Sequence, residues 1–303
     1  MDSDDLKIIL LLFINSRLTY REISEYLGLS VNAIFKRVQT LIDLGIIQRF
    51  KARIKPYALN APYVFIFGES ETQDINQTIS DLGKHENTYH MMISSRNQIY
   101  IGALLQDIHK LDEYASYISQ TAKINSPTIG LLHRVFSSSP IPYIIPRSRT
   151  LNLDKLDVAI IRSLHTNSRK PVSEIADDVN STSRTVRRRL SRMIEEGLIE
   201  LSIDFNPVSS NDIFSVFLIA LDPSVDKNEM AQNIIAQYTP HIFFCWTFSN
   251  LPNLILCWVW CNTMQQLNDI IANLKQEKIE SLISDVIYKG IFLDTWKEDL
   301  LYE

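Results

Sequence analysis

The sequence predicts an α+β protein in which one unit is built twice, each unit a three-helix part followed by a β-α-β-β-α-β part. Three observations predict it. Shifting the chain by 152 residues aligns 5–47 with 157–199 without a gap. "NSR" at 15–17 then returns at 167–169, "EI" at 22–23 at 174–175, and "GII" at 45–47 as "GLI" at 197–199, while Arg37 falls on Arg189 and Ile42 on Ile194. That offset is nearly half the chain, which implies two copies of a ~150-residue unit. Helical periodicity closed by a glycine opens each copy, and apolar strand-like runs alternating with amphipathic segments follow it.

The elements justify this in order. Residues 5–15 are apolar nearly all round, so the first helix is expected to be well buried. "TYREI" at 19–23 carries the T-x-x-E capping box that starts a second helix, and Leu27–Gly28 breaks it. Ser30 caps a third helix that runs to Leu44, where Gly45 ends it. The second copy repeats the order at 154–166, 172–179 and 182–196. Each set of three helices is followed by a β-rich stretch, 45–54 or 197–205, read as the strand pair of a wing. That order is a winged helix-turn-helix. Beyond it, copy one alternates through 63–68, 74–83, 88–95, 98–105, 108–122 and 129–136. Copy two alternates through 213–221, 227–238, 242–249, 254–260, 263–277 and 282–293. This βαββαβ order is the ferredoxin-like arrangement. The expected domains are helix-turn-helix parts at 1–56 and 151–207 and ferredoxin-like parts at 61–137 and 211–298. A connector at 138–150 has three prolines in seven residues, which favours an extended chain.

Composition narrows the function. The net charge of -5 excludes a protein that coats nucleic acid by bulk charge, so any such binding needs a local patch. Cys245, Cys257 and Cys261 lie in one apolar stretch and form no disulfide framework, which fits a reducing compartment. The acidic start "MDSDDLK" is no signal peptide, and "LKIILLLFI" is short of the ~20 apolar residues that span a membrane. A cytoplasmic protein is expected. His85, His90, His109, His133, His165 and His241 are scattered without metal-ligand spacing, and eight glycines supply no phosphate-cradling loop. No cofactor is expected.

"LDKLDVAIIRSLHTNSRKPVSEIADDVNSTSRTVRRRLSRMIEEGLI" (153–199) and its weaker copy "DSDDLKIILLLFINSRLTYREISEYLGLSVNAIFKRVQTLIDLGII" (2–47) resemble the Lrp/AsnC family of transcription regulators. That family joins a winged helix-turn-helix to a ferredoxin-like domain called RAM. Its members usually carry one unit per chain, so the resemblance implies a pseudo-dimer built into this chain, with a homodimer of chains a further step. It also implies double-stranded DNA as partner and an amino acid or similar effector at paired sheets. The family's hairpin commonly carries a glycine and an aspartate near the effector. Here the hairpins read "SSRNQIYIG" (94–102) and "FSNLPNLIL" (248–256), without that pair.

Positive charge is concentrated in "RTVRRRLSRM" (184–193). Val186, Leu190, Met193 and Ile194 make one apolar face, and at ~100° per residue Arg184, Arg188, Ser191 and Arg192 lie opposite, flanked by Arg187 and Arg189. A third helix of this motif enters the major groove, where arginine pairs with guanine or neutralises phosphate. Thr182, Ser183, Arg184, Arg187 and Arg188 are therefore expected near base edges or phosphates, and Arg189 and Arg192 on backbone phosphate. In copy one the outward face holds Asn32, Lys36, Gln39 and Thr40, with Ser30 at the cap and Phe35 and Arg37 flanking. Its wing, "RFKARIK", sets Arg49, Lys51, Arg53 and Lys55 on one strand face, expected to meet DNA, whereas the second wing, "LIELSIDF", is acidic. The two readers are expected to be unequal.

Two other functions compete. Siroheme decarboxylases share this architecture and need cationic and histidine groups in the sheet cleft, where Arg96, His90 and His241 are the candidates. An interaction module that has lost DNA binding would suit the weakly charged first recognition helix. Trp246, Trp258 and Trp260 read as core aromatics.

Overall fold

The computed structural model describes residues 1–139 and 153–302, so all but the first two residues of the expected connector at 138–150 lie outside the described residues. Copy one runs α1 (Ser3–Ile14), α2 (Tyr20–Leu27), α3 (Val31–Asp43), β1 (Ile47–Ile54), β2 (Tyr63–Glu69), α4 (Ile75–Leu82), β3 (Thr88–Ser94), β4 (Gln98–Leu104), α5 (Leu111–Ala122) and β5 (Thr128–Ser137). Copy two runs α6 (Lys155–Leu164), α7 (Val172–Asp178), α8 (Ser183–Glu195), β6 (Ile199–Phe205), β7 (Ile213–Leu221), α9 (Lys227–Tyr238), β8 (Ile242–Phe248), β9 (Leu254–Cys261), α10 (Met264–Leu274) and β10 (Ile279–Phe292). A short helix, α11 (Trp296–Asp299), follows. The α+β order is the expected one, twice. Local chemistry sets the helix ends. Thr19 and Glu22 form a reciprocal capping box before α2, and Thr182 caps α8 by accepting from the Thr185 amide. Gly45 and Gly197 end the recognition helices at φ 69° and 68°, a left-handed turn that a side chain resists.

Packing groups like parts of the two copies. One compact unit comprises Met1–Leu6, Pro62–Ser138 and Pro207–Leu293; the other comprises Lys7–Ala61, Ser139–Asn206 and Asp294–Glu303.

In the helical unit the expected wings are replaced by one shared ribbon. β1 and β6 are single strands that pair with each other, antiparallel, from Ile47 opposite Phe205 to Ile54 opposite Ile199. The reason is local: "QRFKARI" holds no Gly, Pro, Asn or Asp with which to fold back on itself. Each strand therefore finds its equivalent in the other copy. The ribbon also shares cores. Ala52 and Ile54 of β1 pack with Ile160, Ile161 and Leu164 of α6, Ile175 of α7, and Val186, Leu190 and Met193 of α8. Each of these isoleucine, leucine, valine and methionine side chains contributes about 1.5–3 kcal/mol by leaving water.

In the other unit, eight strands close into a barrel of order β10-β3-β4-β2-β5-β8-β9-β7. Each ferredoxin-like half keeps its own sheet, and the last strand of each, β5 or β10, runs on to pair with the free edge of the other half. Leu132–Ser137 pair with β8, and Ile287–Phe292 pair with β3. Alternate residues on the strands face the helices: Val64, Ile66, Ile99 and Ile101 pack with α4 and α5, and Phe217, Ile219, Cys257 and Val259 with α9 and α10. The other alternate positions supply aromatic rings from both halves. Phe65 lies 5.5 Å from Trp246, and His90 lies 5.6 Å from Trp258. Both strand faces are thus buried, which explains the weak sequence alternation. Trp246, Trp258 and Trp260 are core residues, each under one-tenth exposed.

Gly102 stands opposite His90 in the β3–β4 register. A Cβ there would fall on the His90 ring and the Tyr63 hydroxyl. Gly102→Ala is expected to cost about 1–3 kcal/mol through overpacking, read as a lower denaturant midpoint. An unchanged midpoint would show that the ring moves aside freely.

Candidate nucleic-acid interface

The two helix-turn-helix elements, α2–α3 and α7–α8, present their third helices differently. In α8, Val186, Leu190 and Met193 are buried, leaving the opposite face to solvent. Thr182, Ser183, Arg184, Arg187, Arg188 and Ser191 are exposed. Among the described residues, Arg184, Arg187 and Arg188 have no carboxylate partner. Three unpaired guanidiniums within two turns form a local positive field on an acidic chain.

Arg189 and Arg192 depart from expectation. Both are ion-paired: Arg189 with Asp154 and Asp157, Arg192 with Asp157. Asp154 and Asp157 are the N-cap and third residue of α6, in a reciprocal capping box. The Arg189 hydrogen bond holds the Asp154 carboxyl below its usual range. These two arginines fasten α8 to the start of α6 rather than standing ready for phosphate, because their side of the helix turns toward that acidic N-terminus.

In copy one, Ser30 caps α3 and is exposed with Asn32, Phe35, Lys36, Gln39 and Thr40, while Arg37 is half-buried. Val31 and Phe35 are 47% and 48% exposed. Phe35 stands where the second copy has Arg187, so this face is largely neutral.

The first wing is the larger correction. Arg49 remains exposed and lies 3.1 Å from Asp204. Lys51 and Arg53 are only 1% and 2% exposed, and Lys55 is buried. Periodicity placed them on one face correctly, but that face is covered. Arg53 pairs with Asp204 of β6 and lies 3.6 Å from Glu298; Lys51 pairs with Asp294; Lys297 lies 2.8 Å from Glu298. His165 Nδ1 contacts the Ala52 carbonyl at 3.0 Å. Burial lowers the Lys51 and Lys55 pKa values, with the Arg53 charge adding to it at Lys51. Burial pushes Glu298 up, but Lys297, Thr295 and Arg53 outweigh it and hold the carboxyl low. The signal was present: a basic strand and an acidic strand are complementary. The other half of the network, "DTWKED" at 294–299, carries an unread T-x-x-E capping box at Thr295 and Glu298.

A family profile described as winged helix-turn-helix DNA-binding matches residues 1–48 and 153–200. The HTH-type transcriptional regulator Ptr1 of Methanocaldococcus jannaschii is 30% identical over 141 residues, which cover 45% of this chain and 94% of Ptr1. The chain belongs to the Lrp/AsnC-type helix-turn-helix transcriptional regulators. An uncharacterized HTH-type transcriptional regulator of Pyrococcus furiosus is 38% identical over 87 residues, or 28% of this chain and 59% of that relative. The match thus spans about three-fifths of that relative's length. Among solved structures, the siroheme decarboxylase NirDL covers 99% of this chain and 96% of its own with a TM-score of 0.61 at 11% identity. That likeness shows the duplicated fold. No helix among the described residues of this Lrp/AsnC-type chain is long and apolar enough to cross a membrane.

Proposed function

We propose that this chain is a sequence-specific DNA-binding transcription regulator whose two helix-turn-helix domains read DNA unequally. The exposed, unpaired Arg184, Arg187 and Arg188 on α8 carry the reading. α8 is the principal reader, with Thr182 and Ser183 at its start and the three arginines on bases or adjacent phosphates. α3 contributes through Ser30, Asn32, Phe35 and Lys36, with amide, hydroxyl and phenyl contacts in place of charge. The ribbon face of Lys51 and Arg53 is not part of this interface. The ferredoxin-like halves serve pairing, which this chain achieves internally, and an amino-acid-class effector is the ligand its family implies. The test is binding to a duplex from its own promoter and to random duplex across a salt series. Log K should fall with log salt by ~0.9 per neutralised phosphate. Arg187→Ala/Arg188→Ala should flatten that slope by roughly two phosphates' worth and abolish the preference for promoter. Equal slopes for variant and wild type would remove α8 from the interface.

The whole-chain likeness to NirDL favours one second reading, a siroheme-decarboxylase-like enzyme. His90 is buried with an unpartnered Nε2, Arg96 reaches Asp285 at 3.9 Å, and His241 is held by the Trp260 carbonyl and Gln266. A visible tetrapyrrole absorbance on the purified protein would support that reading; a colourless protein that binds promoter would dismiss it.

A further inference from the structure

The repeated "NSR" turns meet each other in the helical unit. Ser16 Oγ and Ser168 Oγ lie 2.6 Å apart, both fully buried. Each neighbouring arginine then crosses to the other copy's turn. Arg17 Nη1 donates to the carbonyls of Ser168 and Lys170, at 2.7 and 2.9 Å. Arg169 donates from Nε to the Ser16 carbonyl at 2.7 Å and from Nη2 to the Leu18 carbonyl at 2.6 Å. The Arg169 guanidinium is sandwiched between the Tyr20 and Phe50 rings, 4.9 and 4.8 Å from their centroids.

All these partners are neutral. Among the described residues neither arginine pairs with a carboxylate. Two half-buried like charges are left beside each other, and burial together with the Arg169 charge lowers the Arg17 pKa. These bonds leave Nε and Nη2 of Arg17 and Nη1 of Arg169 without acceptors. A cavity of about 300 Å³ is lined by both arginines together with Leu18, Thr19 and Tyr20. It adjoins the start of α2, where the helix dipole adds positive potential. Glu22 is engaged in capping Thr19.

We propose that this cavity binds one phosphate-type oxyanion between the Arg17 and Arg169 guanidiniums. Forked N–H donors suit such an anion better than any single point charge. The anion comes from a DNA backbone phosphate or from free solution. The Tyr20 ring that stacks on Arg169 also packs edge-on against Phe35 of α3, 5.6 Å away, so occupancy sets the seat of the first recognition helix.

The test is calorimetric titration of inorganic phosphate into the full chain at constant ionic strength. The wild type should show one saturable site. Arg169→Gln should weaken it by at least about tenfold, and Arg169→Lys, which keeps the charge without the fork, by less. Arg162→Gln, which removes the same charge from the exposed face of α6, should leave it unchanged. No saturable site in the wild type, or equal loss in Arg162→Gln, overturns the proposal. Should Arg169→Gln unfold, the wild type, Arg169→Lys and Arg162→Gln still decide. Displacement of phosphate by promoter duplex identifies the DNA backbone as the source; phosphate and duplex bound together identify a free anion. Absence of phosphate binding with intact duplex binding leaves the DNA-reading function standing.

Discussion

Asp204→Ala is expected to destabilise the helical unit by about 3–5 kcal/mol, the usual consequence of stripping one partner from a buried ion pair. Asp204 is 3% exposed and Arg53 is 2% exposed, so removing the carboxylate strips a dry guanidinium of its paired acid, with Glu298 farther off at 3.6 Å. Arg49, exposed on the same strand, makes the control: Arg49→Ala removes a surface contact to the same carboxylate and should cost at most about 1 kcal/mol. Replacing both members, Asp204→Leu with Arg53→Met, should recover much of the loss, because apolar groups of similar volume need no partner. Trp296 lies in this unit and reports its unfolding by fluorescence. If Asp204→Ala and Arg49→Ala cost the same, the network is a surface decoration and the buried ribbon face is misassigned.

Acid should loosen the barrel, through His90. Burial lowers its pKa to about 3 from an ordinary 6.5. The folded state therefore holds the ring neutral while the unfolded chain takes up a proton. The sign follows: stability is complete above pH 6.5 and falls as pH drops toward 3. Between pH 6.5 and about 4.5 the loss from this one group is about 2–3 kcal/mol. Burial also lowers His85 of the same unit, which adds to the loss in the same direction. His90→Phe isolates the share of one ring: its stability should fall less over that window than the wild type's. Trp246, Trp258 and Trp260 follow the barrel selectively. Parallel pH profiles for wild type and His90→Phe would mean that water reaches the ring.

The sequence made the helices and their order legible because their signals are local: caps at Thr19, Ser30 and Thr182, glycines at 45 and 197, and an apolar stripe along α8. The βαββαβ order was equally legible. Pairing was not, since the choice between a strand's own copy and the other copy is made across about 150 residues by complementary charge and absent turns. Arg53 shows the cost. Its alternation with Lys51 was read correctly, yet whether that face met DNA or protein depended on Asp204, Asp294 and Glu298, all distant in sequence. Arg189 and Arg192 failed in the same way: helical phase gave their direction and could not give the acidic cap of α6 that waits there.

The exchange of β5 and β10 between halves has a consequence for how the protein varies. In an assembly of identical chains every substitution appears on both sides of the two-fold at once, and association weakens on dilution. Here the halves are one molecule, so their partnership is independent of protein concentration. A change in one half need not be tolerated by its mirror position. Arg187 on α8 and Phe35 on α3 occupy equivalent places and already differ in charge, size and polarity. Covalent symmetry with independent sequence is what permits a single chain to place two unlike surfaces on either side of the same axis.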